Sequence, residues 1–382
     1  MKGEVTRIAD VAATIESWAP RASAQSYDNV GLQIGDPTRT VTKAVIALDA
    51  TPAVVDEAIA VGAELIITHH PLIFRPLTSI TPATFVSSVA LRIAENGIAL
   101  YAAHTNLDAA NGGVSFALAD KLGLRDVRFL SQSKDNLVKL VTFVPDEQIA
   151  AVRAALAEAG AGVIGAYRAC SFSTPGTGTF QAESHAEPAL GAAGGPLERV
   201  AELRLEVQLE RWLLDGVVQK LRSVHPYEEV AYDVYAVEQS STNVGLGAVG
   251  ELDHATTLSS FLERVCSSLG AGSLRFVGDT AATVQRIAVC GGSGSDLVAA
   301  ALAAGADAFV TADVTYHRFF DVLDIAAIPR MALIDAGHYE TEAMIESALA
   351  KWLQDRFPLV HWSTSTTKSS PVRTFVPSAG VV

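Results

Sequence analysis

The sequence predicts an α/β fold: a parallel-rich sheet with flanking helices formed by both chain ends, plus an inserted ferredoxin-like α+β domain. Short apolar runs alternate with helical patterns up to residue 124, and the same alternation returns after residue 245. Between these regions the element order changes to β-α-β-β-α-β, the ferredoxin-like arrangement. The length of 382 residues also exceeds the usual size of one compact core. We therefore predict a discontinuous α/β domain of residues 1–124 and 245–382, interrupted by an inserted domain of residues 125–244.

The first 124 residues contain three apolar runs that indicate buried strands. Apolar residues at helical spacing precede them, and Pro20 ends that pattern. Thr51 and Pro52 are a favourable N-cap and first position for a later helix. Because helical patterns separate the strands, we expect them to lie parallel in one sheet. The predicted elements are a helix at residues 5–18, a loop at 23–36, and strands at 43–49, 64–68 and 97–103.

The last third of the chain repeats this alternation of strand and helix patterns, whereas the insertion has a different order of elements. The last third contains predicted strands at 286–292, 306–313 and 330–337, a helix from about 338 to 353, and a loosely held tail after Trp362. The insertion contains predicted strands at 137–144, 167–172, 178–181, 198–207 and 230–237, helices at 146–159 and 209–221, and a Gly/Pro/Ala-rich loop at 183–196. The two chain ends should therefore complete one sheet around the insertion.

The charge and cysteine content exclude several classes of protein. With 28 basic against 42 acidic residues and no basic cluster, a nucleic-acid partner is disfavoured, although a single nucleotide could still bind in a local pocket. Cys170, Cys266 and Cys290 lie far apart, so neither a disulfide framework nor a thiolate zinc site is expected. The chain shows no signal-peptide pattern and no run of about 18 apolar residues, so we expect no membrane partner and a cytoplasmic location.

Adjacent histidines follow the second predicted strand. His69 and His70 would point to opposite faces of a regular strand, but Pro71 breaks the strand and allows both to face one pocket. Imidazole is a common ligand for divalent metals, and neighbouring rings could each take one of two ions. The alternative is that one ring is a hydrogen-bonded core histidine and the other is exposed.

Two further motifs combine histidine with a carboxylate after a strand. His104 and Asp108 follow the third strand: Asp108 could bind or bridge metal, and His104 could orient it or transfer a proton, although such a segment is often only a helix cap. His338 and Glu342 are spaced i and i+4 on a starting helix, where a glutamate can bridge two ions, or where the first turn is simply acidic. Because all three motifs follow strand ends of the inferred sheet, we expect them to converge on one site.

Several other polar residues are candidates for the rim of this site. Asp28 and Asn29 could line the pocket or cap a turn, and we favour a structural role for them, with support of the site as an option. Asp313 and His317 follow another strand end, where Asp313 could equally be a helix N-cap. The glycine-rich segment 291–296 is interpreted first as a tight turn, because it lacks a Walker lysine and the full dinucleotide spacing. The segment 225–230 of the insertion could reach the pocket or form a polar strand entry.

These motifs resemble the Nif-three-like family, whose members are named GTP cyclohydrolase 1 type 2 homologues. The matching segments, in family order, are YDNVGLQIGD, THHPLIF, HTNLDAANGG, CSFSTPGTGTF, HPYEEVAYD, GLGAVG, CGGSGSD, TADVTYH and GHYETE. The resemblance implies a two-metal centre held by His69, His70, Asp108, His338 and a bridging Glu342, with His104 close by. It also implies a homohexamer and an insertion similar to the CutA/PII type, found only in longer members. The chain departs from the family at Gln25, Tyr27 and Ala312, so substrate contacts can differ.

The residues and the resemblance together favour a dinuclear metal-dependent hydrolase acting on a small molecule. Two divalent ions per subunit are expected, and mixed histidine and carboxylate ligands suit zinc, iron, manganese or cobalt. The resemblance implies opening of the guanine imidazole ring of GTP with formate release, with His104 as the proton shuttle. Two alternatives stay open: hydrolysis of another C–N, amide or phosphoester bond, and a non-catalytic ring that stores or senses metal or scaffolds partners.

Overall fold

The computed structural model describes residues 5–133 and 136–373 and separates into two compact units. Unit 1 comprises the described residues of Met1–Ser131 and Asn243–Val382, and unit 2 comprises those of Gln132–Thr242. Helices and strands are mixed throughout, so the predicted α/β class is confirmed. Within the described residues, none of the helices combines the length and apolar character needed to cross a bilayer.

Unit 1 begins with β-α alternation and closes with a second run of the same kind. Its first part contains α1 (Ile8–Trp18), β1 (Gly31–Ile34), β2 (Lys43–Ala47), α2 (Pro52–Val61), β3 (Leu65–Thr68), α3 (Phe85–Glu95), β4 (Ala99–Ala102), α4 (Thr105–Ala109), α5 (Val114–Lys121) and β5 (Arg125–Gln132). Unit 2 contains β6 (Leu137–Pro145), α6 (Ile149–Glu158), β7 (Phe172–Phe180), β8 (Glu198–Glu210), α7 (Leu214–Val224) and β9 (Tyr232–Ala236). The chain then returns to unit 1 with β10 (Gly245–Thr257), α8 (Leu258–Leu269), β11 (Arg275–Val277), β12 (Thr283–Ser293), α9 (Val298–Ala303), β13 (Ala308–Ala312), β14 (Ala332–Asp335), α10 (His338–Glu342), α11 (Met344–Arg356) and β15 (His361–Thr364).

Unit 1 contains two sheets, so the prediction of a single sheet is wrong. One sheet has the order β1-β4-β3-β2-β15 and the other has the order β11-β14-β13-β12-β10-β5. Strands β2, β3, β4 and β15 are parallel in the first sheet, and β12, β13 and β14 are parallel in the second. Helix α11 packs on β15, β2 and α5, and α5 packs on β10 and β12. Helices α5 and α11 form a layer between the two sheets. Leu349 of α11 packs in the core of the first sheet, and Leu118 of α5 packs in the core of the second.

Two segments predicted to be irregular are ordered parts of the first sheet. The predicted loop 23–36 contains strand β1, which pairs antiparallel with β4. Gly31 and Gln33 interrupt this short strand, so it lacks a continuous apolar run. The tail after Trp362 includes strand β15, and the hydroxyls of Ser365, Thr366 and Thr367 donate hydrogen bonds to the carboxylate of Glu57. The prediction of a loosely held tail is therefore wrong as far as Ser369, whose hydroxyl donates to Asp49, and residues after 373 lie outside the described part.

Unit 2 is an antiparallel sheet in the order β7-β8-β6-β9, with helices α6 and α7 packed on it. Its core contains Leu140, Leu156, Leu205 and Leu221. The two short strands predicted at 167–172 and 178–181 are wrong, because one strand, β7, pairs with β8 along its whole length. Pro175 lies within β7, which is an edge strand, where a missing N–H is tolerated. Residues 125–131, predicted as part of the insertion, belong to β5 beside β10 in unit 1.

Candidate metal centre

Residues at the strand ends of both sheets of unit 1 meet at one place. His69 and His70 come directly after β3, and His104 comes two residues after β4. His338 and Glu342 are the first and last residues of the short helix α10, which follows β14. The predicted helix from 338 to 353 is divided at Ala343 into α10 and α11. Since β3 ends before both adjacent histidines, their rings can face the same side, with centroids 5.1 Å apart.

Glu342 is the centre of this cluster. Its Oε2 lies 3.0 Å from Nε2 of His70 and 3.1 Å from Nε2 of His338, while its Oε1 lies 3.8 Å from Nε2 of His69. Nε2 of His69 is also 3.5 Å from Oδ1 of Asp108. Two groups of three potential metal ligands therefore share Glu342: one with His70 and His338, the other with His69 and Asp108.

Each of the three imidazoles His69, His70 and His338 makes a hydrogen bond through its Nδ1 atom to a group outside the cluster. The partner of His70 is Asp49 at 2.7 Å, that of His338 is Asp313 at 2.7 Å, and that of His69 is the backbone carbonyl of Ala103 at 2.8 Å. When Nδ1–H donates to an oxygen, the lone pair of Nε2 points into the cluster. Metal-binding histidines are oriented in this way, because the outer hydrogen bond sets the tautomer and the ring direction.

Buried atoms without partners indicate that a cation fits between these side chains. Glu342 and His69 are each only 3% exposed. Within the described part of the chain, Nε2 of His69 and Oδ1 of Asp108 are buried and have no hydrogen-bond partner. Leaving such a polar atom unsatisfied costs about 1–3 kcal/mol. A divalent cation between the imidazole and the carboxylate would remove that cost, so the donor set fits a metal.

The electrostatics of the cluster keep its central carboxylate ionised. Burial opposes a charge on Glu342, but the close contacts with His338 and His70, together with the nearby ring of His69, hold its pKa well below the usual range. Burial also opposes a charge on His70, yet its hydrogen bonds to Asp49 and Glu342 raise its pKa to about 10. The hydrogen bond to Glu342 raises the pKa of His338 to about 9, and burial raises the pKa of Asp108 to about 7. Protons therefore occupy these imidazoles readily, and a cation would replace them.

His104 lies at the edge of the cluster. Its ring centroid is 5.2 Å from that of His69 and 5.5 Å from that of His70, and the three rings form a further potential ligand group. Nδ1 of His104 is 2.9 Å from Oδ1 of Asp28, whose other oxygen accepts hydrogen bonds from Thr105. Although burial opposes ionisation, these contacts with His104 and Thr105 lower the pKa of Asp28. Asp28 therefore orients His104.

The remaining residues that the sequence suggested for the rim of the site differ in their distance from the cluster. Asp313 contacts the cluster through His338, whereas Asn29 donates its side-chain amide to the carbonyl of Ile73. His317 is exposed beside Tyr316, and no described contact joins it to the cluster. His225 lies in unit 2, where Nε2–H donates to the carbonyl of Phe143. The glycine-rich segment forms a turn into α9, with Gly292 at a φ of 58°.

Sequence reasoning missed Asp49 as a partner of the site. Asp49 was placed at the end of a predicted strand and given no role. In the structure Oδ1 contacts His70 and Oδ2 accepts a hydrogen bond from Ser369 at 2.6 Å. The available signal was its position, since it follows a strand end at the same sheet edge as the histidines.

The fold and the cluster define a class: an α/β protein with a histidine and carboxylate site suited to metal binding. The sequence model of the DUF34/NIF3 (NGG1p interacting factor 3) family matches residues 6–371, and the chain belongs to this family.

Similar proteins agree with this assignment. A GTP cyclohydrolase 1 type 2 homolog of Halalkalibacterium halodurans is 39% identical over 345 residues, which cover 89% of this chain and 91% of the relative. A protein of the same name from Mycobacterium tuberculosis is 41% identical over 340 residues, 88% of each chain. Among solved structures, a Bacillus cereus protein related to NIF3 is 38% identical, with a TM-score of 0.81 and coverage of 98% of this chain and 100% of that one.

Proposed function

We propose that this chain is a dinuclear metal-dependent hydrolase. The observation that carries the proposal is the pair of ligand groups sharing Glu342, in which imidazole Nε2 atoms and carboxylate oxygens face one another within 4.8 Å. In this proposal His70 and His338 would hold one divalent ion, His69 and Asp108 would hold the second, and Glu342 would be a ligand common to both groups. When bound, such a pair lowers the pKa of a shared water and polarises the bond under attack.

The residues around the cluster have separate tasks in this proposal. Asp49, Asp313 and the carbonyl of Ala103 keep the three imidazoles in their ligating tautomer. His104 exchanges a proton with the substrate, and Asp28 supports it because the carboxylate at Nδ1 fixes the direction of the ring. The side chain of His104 is 19% exposed, which leaves it accessible to a small molecule at the mouth of the site.

The narrower proposal is that the substrate is a nucleotide such as GTP. It is supported by the name of the relatives, GTP cyclohydrolase 1 type 2 homolog. In that reaction one water adds at C8 of guanine and opens the ring to a formamide, and a second water releases formate and leaves an amine. We further propose zinc, iron, manganese or cobalt as the metal, a cytoplasmic homohexamer as the assembly, and a CutA/PII-like origin for the β-α-β-β-α-β unit 2.

One set of variants tests the proposal. Elemental analysis of wild type purified without added metal should give about two ions per chain, and His69→Ala and Glu342→Ala should each lower that ratio, because each removes a donor. Glu340→Ala is the matched control, since Glu340 lies on the same helix but pairs with Lys368. His104→Gln should keep the metal and lower formate release from GTP by about 100-fold, in the range of general acid–base catalysis.

The outcomes separate the rival functions. Unchanged metal content in both His69→Ala and Glu342→Ala would contradict the metal site. Metal-loaded protein that hydrolyses another C–N or phosphoester bond would retain the hydrolase and reject GTP. Metal-loaded protein that hydrolyses neither GTP nor a set of other C–N, amide and phosphoester substrates would instead support a storage, sensing or scaffolding role.

A further inference from the structure

Two exposed aromatic side chains lie beside the metal cluster. Tyr27 is 65% exposed and Phe74 is 41% exposed. Their ring centroids are 6.3 Å apart with an interplanar angle of 61°, and the centroid of Phe74 is 6.5 Å from that of His104. The pair therefore forms an apolar surface next to the proposed proton-transfer group.

The backbone next to each ring is tied down. Asp28, which follows Tyr27, is anchored by its contacts with His104 and Thr105. Ile73, which precedes Phe74, donates its N–H to Oε1 of Gln33 at 3.0 Å and accepts a hydrogen bond from Nε2 of Gln33 at 3.2 Å. The side-chain amide of Asn29 also donates to Ile73, which joins the two loops. The rings are thus exposed to solvent on backbone that is held in place.

We infer that Tyr27 and Phe74 form a stacking platform for a planar heteroaromatic ring of the substrate. This inference rests on the proposed function, because it places the ring beside His104. Exposed aromatic faces bind planar π systems with little sequence or base preference, and the gain is about 1–3 kcal/mol per stacked base. The platform therefore selects for a heteroaromatic ring, and it does not by itself distinguish guanine from other bases.

Binding measurements on the full-length protein test the platform. We would measure the dissociation constants of GTP, ATP, CTP and inorganic tripolyphosphate by calorimetry for wild type, Tyr27→Leu and Phe74→Leu. Each nucleotide should bind wild type about tenfold or more tightly than tripolyphosphate, and each leucine variant should lose about fivefold to tenfold of that preference. Tyr27→Phe should retain it. Phe276→Leu is the matched control, because Phe276 on β11 is 40% exposed, nearly the same as Phe74.

The inference is overturned if the leucine variants bind the nucleotides as wild type does, or if wild type does not prefer any nucleotide over tripolyphosphate. An equal loss of tripolyphosphate binding would also overturn it, since the substitution would then act through the metal cluster. Nucleotide binding through the pair without formate release contradicts only the proposal that GTP is hydrolysed at its guanine ring. Formate release that both leucine substitutions leave unchanged contradicts the platform alone.

Discussion

At the scale of single residues, the site depends on how closely Glu342 is surrounded. Both of its oxygens face imidazoles, and the backbone of Gly292 lies against it. A Cβ atom added at Gly292 would lie 2.2 Å from Oε1 of Glu342 and 3.2 Å from Cε1 of His338. A distance of 2.2 Å does not occur between non-bonded atoms, so any side chain at residue 292 would displace the carboxylate.

We expect Gly292→Ala to lower the metal affinity by at least about tenfold, as loss of ligand orientation typically does. It should also destabilise the fold by about 1–2 kcal/mol, because the φ of 58° belongs to the left-handed region. Titration with zinc against a competing chelator measures the affinity, and urea unfolding measures the stability.

Gly62→Ala is the control for backbone strain. Gly62 has a similar φ of 69°, but an added Cβ atom would meet nothing within 4 Å. We expect Gly62→Ala to lose stability and keep its metal affinity. If Gly292→Ala and Gly62→Ala had equal metal affinities, a clash between the new Cβ atom and Glu342 would not be the cause of any loss of metal binding.

At the scale of elements, short helices deliver ligands that strands alone could not. The five residues of α10 place His338 and Glu342 one turn apart, and α4 carries Asp108. In unit 2, His225 directly follows α7, and its Nε2–H donates to the carbonyl of Phe143 on β6 at 3.0 Å. Nδ1 of the same ring accepts the N–H of Tyr227 at 3.2 Å. The neutral ring therefore joins the end of α7 to the sheet.

Protonation of His225 should loosen unit 2. Burial lowers the pKa of His225 below its ordinary value, so the unfolded chain binds this proton more readily than the folded chain. The stabilisation should be complete above about pH 6.5 and should decline as the pH falls below it. Hydrogen exchange in peptides from β6, corrected for the intrinsic effect of pH, should speed up between pH 7.5 and pH 5.5.

His225→Asn provides the comparison, because asparagine does not titrate in this range. The variant should show a smaller change in exchange between the two pH values than wild type. The same change in both proteins would exclude His225 as the source of the pH effect.

At the scale of the whole molecule, every proposed ligand lies in unit 1 although unit 2 interrupts its sequence. The two chain ends that unit 2 joins are close, since a Cβ atom added at Gly245 would lie 2.6 Å from the carbonyl oxygen of Ser131. A short linker could therefore replace residues 132–242 without stretching unit 1.

We expect a variant with a short Gly/Ser linker in place of residues 132–242 to fold and to bind metal in the wild-type ratio. Circular dichroism tests whether the variant folds, and elemental analysis measures its metal content. The same deletion combined with Glu342→Ala should lose metal. A folded deletion variant that binds no metal would show that the centre requires unit 2.

Local sequence was sufficient for much of this architecture. Runs such as 43–49 and 64–68 predicted their strands because buried parallel strands are continuously apolar. Thr51 and Pro52 marked the start of α2, where the Thr51 hydroxyl accepts the N–H of Val54. By contrast, β1 and β7 were missed or divided, because a short strand that contains glycine and glutamine and an edge strand with proline have weak local patterns.

By itself, the sequence determined the α/β class, much of the order of elements, the family and the motifs that carry histidines and carboxylates, because these depend on local patterns along the chain. Only the tertiary structure decided that the motifs come from two sheets and meet at Glu342, that Asp49 and Asp28 orient imidazoles, and that Tyr27 and Phe74 lie beside His104. His70 and Glu342 are 272 positions apart, and no local pattern specifies such a contact. It is set by the packing of the helical layer that both sheets share.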